Sequence, residues 1–187
     1  MPFLITDSAV PLLMETVPAL KIAHFNGMPR RDNVYAYLRC YICCGALHLA
    51  VTAFDGQPPD TVRFGLAFTQ ADDTEKYLFF SFAPSGENSL TLRSVAQGDV
   101  CQTFDAPPSQ IVTGGDEQGL YWSSESVLPA QVFKAAFGKA PAAGHVYAGN
   151  VFLYDTTEAA FGAAFAVPQG ETVPTAKGFD VFTIVPY

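Results

Sequence analysis

Tyr35, Tyr37, Arg39 and Tyr41 alternate through NVYAYLRCYIC (33–43), and a strand sends alternate side chains to one face. That face carries three phenol rings, their hydroxyls and one planar guanidinium. Such a set can stack on a flat or polyhydroxylated ligand and donate paired hydrogen bonds to it. The same row also reads as a packing face under a second layer, with Arg39 held by a carboxylate. Glu87, Asn88 and Arg93 gather around a turn, as a second polar cluster or as ordinary solvated turn residues. Trp122 is the only tryptophan in the chain. Alternation through LYWSSESVL (120–128) places it with Ser124, Ser126 and Leu128, opposite Tyr121, Ser123, Glu125 and Val127. The small serines would leave the indole open as a stacking platform. Leu128, just before a helix start, argues for the core, which we take as the first reading.

Other reactive side chains are sparser. Cys40, Cys43 and Cys44 lie in RCYICCG, far from Cys101. A Cys-x-x-Cys pair can hold zinc or do redox chemistry. Here no second pair follows, and the apolar surroundings suit buried free thiols in a reducing compartment. Asp55, Asp60, Asp72, Asp73 and Glu75 fall in loops, where oxygen-rich calcium sites form, but without the Asp-x-Asp-x-Asp-Gly alternation. His24, His48 and His145 sit in apolar strand patterns and read as structural imidazoles. His48 shares its face with Ala46, Ala50, Thr52 and Phe54. No nucleophile elbow, phosphate loop or dinucleotide fingerprint occurs. An enzymatic site would need a concave pocket that gathers Glu125, a histidine and a second carboxylate.

The elements that must position these groups are mostly strands. Of 187 residues, 49% are apolar and 15% charged, a globular composition, and 15 Gly with 14 Pro signal many short elements. The net charge of −8 and dispersed basic residues, with only Arg30-Arg31 adjacent, argue against a nucleic-acid partner. The N-terminal stretch lacks the basic start of a signal peptide, and no run of about 18 apolar residues exists. No membrane partner and a cytoplasmic location are therefore expected. Strand-like runs appear at 19–25, 33–43, 46–54, 61–70, 76–83, 89–96, 120–128, 145–155 and 178–187, with 97–119 rich in loops around a short candidate strand at Ile111-Val112 and 158–167 ambiguous. PAQVFKAAFG (129–138), with its leading Pro and closing Gly, reads as a short helix. The expectation is one all-β domain over 1–187: an antiparallel β-sandwich of about nine or ten strands, with one short helix after Leu128.

Several of these segments together resemble the carbohydrate-binding module family nine. They are Trp122, Glu125 and Leu128-Pro129 running into the helix that ends at Gly138, then Asn150, Phe152 and Tyr154 in GNVFLYD, and the closing strand GFDVFTIVPY. Upstream, AYLRCYICCGALHLAVTAFDGQPP resembles the early hairpin of that family, and YLFFSFAPSGE a later strand and turn. The order holds from Ala19 to Pro186. The resemblance implies a non-catalytic β-sandwich that binds a saccharide, with no organic cofactor and with structural calcium in many members. Through it Asn150 joins Tyr35, Tyr37, Arg39, Tyr41, Glu87, Arg93 and Trp122 as a candidate ligand-binding residue. Sugar-binding members clamp the ring between two exposed tryptophans, and this chain has one. The basic residue after the Asn-aromatic-aromatic motif is also missing. The alternative is a structural or protein-interaction module of the same fold, its sugar site lost and an apolar patch serving as a homodimer interface.

Overall fold

A computed structural model describes residues 2–27, 34–72 and 75–187. Among them run the strands β1 (Phe3–Ser8), β2 (Ala19–Lys21), β3 (His24–Asn26), β4 (Ala36–Cys43), β5 (Ala46–Ala53), β6 (Val62–Gln70) and β7 (Lys76–Phe82). They continue with β8 (Asn88–Ser94), β9 (Val100–Phe104), β10 (Gln110–Asp116), β11 (Gly119–Leu128), β12 (Val146–Asp155), β13 (Phe161–Ala163) and β14 (Asp180–Pro186). Helix α1 (Ala130–Phe137) follows β11, and a single 3-10 turn occupies Met14–Thr16. The main ladder runs β10-β11-β5-β4-β1-β14-β12-β6-β7-β8-β9.

The fold is the expected all-β sandwich, with two corrections. Among the described residues, fourteen strands replace the expected nine or ten. The segment 19–25 splits into β2 and β3, which pair with different partners, β4 and β13. Strands β9 and β10 occupy the stretch read as rich in loops, β10 extending the short strand expected at Ile111-Val112. Their side chains are mostly exposed, so no apolar periodicity marks them, and the ladder holds them. The pairing is also not purely antiparallel: β1 lies parallel to both β4 and β14. That strand carries the hydrogen-bonded sheet from one layer to the other.

The layers meet over a core in which the ring of Phe64 on β6 packs edge-on against Trp122 on β11, 5.2 Å between centroids. Leu38, Leu49 and Val51 face this core from one layer, and Leu66, Phe80 and Leu90 from the other. Helix α1 closes one end. Pro129 starts it from an extended conformation, and Gly138 ends it at φ 78° with its N–H on the Lys134 carbonyl at 2.9 Å. Its buried residues are Val132 and Phe133. No helix among the described residues is long and apolar enough to cross a membrane.

The outer faces differ, and this difference locates the site. Behind β6, β7 and β12, the residues Tyr77, Phe79, Phe152, Tyr154 and Phe161 form a second apolar cluster, with Val167, Val173 and Phe179 packed on it. Both faces of β6 and β7 are thus covered, which is why they read as continuous apolar runs. Strand β5 instead alternates half-buried and buried residues along its whole length. On the outer face of its layer, Leu12, Met14 and Val17 cover only Tyr41 and Cys43.

Candidate functional site

Register lays out the open face row by row. One row reads Val112, Ser123, Thr52, Tyr37 and Lys21 across β10, β11, β5, β4 and β2. The next reads Gln110, Glu125, Ala50, Arg39 and Ala19. A third brings Val127, His48 and Tyr41 together. Beyond the first row, Tyr121, Phe54, Tyr35 and Tyr37 form a chain of rings with centroids 5.7, 5.7 and 5.6 Å apart. Ala50, Thr52 and Ser123 therefore form a floor of small side chains bounded by aromatic and charged ones. Glu125 and Arg39 stand on either side of Ala50, their strands two spacings, about 10 Å, apart.

The cations at the rim are held in place. The Lys21 ammonium lies 5.5 Å from the centroid of the Tyr35 ring, and the Arg39 guanidinium 5.4 Å from that of Tyr37. Arg39 Nη1 also donates to the main-chain carbonyls of Val17 and Glu15. The partners expected for Arg39 were carboxylates; the observed ones are neutral carbonyls, so its charge is positioned without being cancelled. Tyr41, the fourth member of the predicted row, is only 3% exposed and stacks on His48 at 4.7 Å and 11°. Burial lowers the His48 pKa from its ordinary value, which favours the neutral ring.

Beside this trough a cleft of about 700 Å³ is lined by Glu15, Tyr41, His48, Gln110 and Glu125, among others. It does gather Glu125, a histidine and a second carboxylate. Both glutamates are exposed.

The remaining predicted residues are buried or engaged with other parts of the chain. Trp122 is 1% exposed, packed on Phe64, and offers no face to a ligand: its inward side is the core side of β11. Glu87 pairs with Arg63 at 2.6 Å. Arg93 bonds Thr91 Oγ1 at 3.1 Å and the Gly98 carbonyl at 2.9 Å. Asn88 donates to the Pro107 carbonyl at 2.8 Å. Glu87 and Arg93 lie at opposite ends of β8, six residues and about 20 Å apart, in the other layer, so no polar cluster forms there. Asn150 is fully buried. Its Nδ2 donates to the carbonyls of Phe165 and Gly178, both at 3.0 Å, and its Oδ1 accepts from the N–H groups of Val151 at 2.8 Å and Phe165 at 3.0 Å. It is a clamp on the 164–179 segment with no capacity left for a ligand.

Sequence reasoning missed Phe54, Tyr121, Thr52, Ser123 and Lys21 as neighbours of the tyrosine row. Alternation within each strand places them on common faces, but the pairing of β4 with both β2 and β5 is nonlocal.

The cysteines are free: Cys40 and Cys43 are buried, and burial pushes the Cys40 thiol up to about 12. Cys44 and Cys101 are exposed, which corrects the expectation of a buried thiol at Cys44: it sits at the β4–β5 turn with φ 53°. Among the described residues no three His, Cys, Asp or Glu side chains come together as a metal site. Asp73 lies outside the described residues.

No family model matches the chain, and no curated protein matches its sequence significantly. Solved structures do match its fold. A carbohydrate-binding module family 9 domain from Caldicellulosiruptor kristjanssonii, in complex with glucose, aligns over 100% of this chain and 97% of its own at TM-score 0.64 and 10% identity. The same kind of module in complex with cellotriose aligns over 100% and 95%, also at 0.64 and 10%. A protein from Bacteroides uniformis, described as a "putative carbohydrate-binding protein", aligns over 98% of both chains at TM-score 0.72 and 10% identity. The chain thus has the fold of the family 9 carbohydrate-binding modules.

Proposed function

We propose that this chain is a non-catalytic carbohydrate-binding module whose saccharide lies in the trough over Ala50, Thr52 and Ser123. The observation that carries the reading is the open face itself: small floor, ring chain at one end, and Arg39 and Glu125 on opposite sides. The apolar face of a sugar packs on an aromatic ring while its hydroxyls seek donors and acceptors, and Tyr37 with Arg39, Thr52, Ser123 and Glu125 supplies both. The sugar complexes of the structural neighbours support the ligand class. Tyr35 and Tyr37 here take the part that the single, buried Trp122 cannot.

Calorimetric titration against glucose, cello-oligosaccharides and a wider glycan panel, with reducing ends assayed in parallel, tests this. Saturable heat from at least one oligosaccharide without new reducing ends is the expected result. Silence across the panel overturns the proposal, and bond cleavage overturns its non-catalytic part. A second reading, a protein-binding face, is favoured by Val112 and Val127, which are 45% and 40% exposed on the same surface. A chain that ignores every glycan and elutes as a dimer would support it.

A further inference from the structure

We infer that the trough selects acidic saccharides and holds a uronate carboxylate between Lys21 and Arg39; this rests on the reading of the trough as a saccharide site. Lys21 stands opposite Tyr37 in the β2–β4 register, and Arg39 stands opposite Ala19. The two cations are therefore diagonal neighbours on adjacent strands, within reach of one another for long side chains. Among the described residues neither forms an ion pair with a carboxylate. The ion pairs among the described residues are Arg63–Glu87 and Lys177–Glu171, and neither β2 nor β4 contains an acidic residue. Their cation–π contacts with Tyr35 and Tyr37 fix both charges at the rim of the platform, where substituents of a ring stacked on Tyr37 project. Glu125 faces them across Ala50 and repels an anion, so it sets polarity: the carboxylate points to the β2–β4 edge, and the hydroxyls of the opposite side donate to Glu125. A neutral sugar would use only half of this arrangement.

The test compares pairs that differ only in charge: a cello-oligosaccharide with its C6-oxidised uronate form, and trigalacturonate with its methyl ester. At about 50 mM salt the acid of at least one pair binds the intact chain about tenfold tighter than its neutral partner. The gap narrows at about 500 mM, where screening acts over a few ångströms. Lys21→Glu, at an exposed position of a short strand, abolishes the preference. Equal or tighter binding of both neutral partners overturns the inference and leaves the trough standing as a neutral-sugar site. A preference that survives Lys21→Glu also overturns it. Failure of all four ligands overturns this inference and, for these glycans, the saccharide reading beneath it.

Discussion

Asn150→Ala lowers the stability of the fold by about 3–5 kcal/mol, read as a shift of the denaturation midpoint at unchanged slope. The side chain is fully buried and uses both amide hydrogens and its oxygen on main-chain groups of Val151, Phe165 and Gly178. Alanine orphans the half-buried carbonyls of Phe165 and Gly178 and the Phe165 N–H, and an unsatisfied buried group costs about 1–3 kcal/mol. The segment so released includes Val167, Val173 and Phe179, which pack on the cluster behind β7 and β12, so part of the second core loosens with it. Asn150→Asp is no rescue, because it removes both donated bonds and buries a carboxylate. A loss below about 1 kcal/mol for the alanine variant would mean that the clamp is dispensable.

Ala50→Trp abolishes saccharide binding, by about a hundredfold or more, with the fold retained. Ala50 sits on β5 between Arg39 and Glu125, on the face that no second layer covers. An indole there meets solvent rather than core, so overpacking strain does not arise. It fills the space that a sugar ring must enter, and a blocked site loses the whole interaction rather than one contact. Ala50→Ser, which keeps the floor low, binds as the parent does. Thr52→Tyr plugs the neighbouring row and gives the same loss, which separates steric exclusion from any misfolding of the tryptophan variant. Binding by Ala50→Trp within about threefold of the parent would place the ligand elsewhere.

Much of this was legible from local pattern. The alternation of 120–128 already separated Trp122 from Tyr121 and Glu125, and the Pro129–Gly138 signals framed α1. The alternation of 33–43 separated core Leu38 and Ile42 from the tyrosine row. What escaped was nonlocal or polar. Strand β1 is held by parallel pairing with β4 and β14, and β9 and β10 carry too few buried residues to show a period. Tyr41 belonged to the predicted row, yet Leu12, Met14 and Val17 cover it, a contact across more than twenty residues of chain that no window shows. Asn150 was singled out for a motif and proves to be a structural clamp, because a short polar side chain looks the same to a sequence reader whether it faces a ligand or a loop.

The most direct measurement is an amide shift map of the isotope-labelled wild-type chain, titrated with the tightest-binding saccharide of the panel. The largest shifts fall on Tyr37, Arg39, Ala50, Thr52, Ser123 and Glu125 if the trough is the site. Shifts centred instead on the cavity of about 410 Å³ beside Tyr154, Phe161 and Val173 would contradict it.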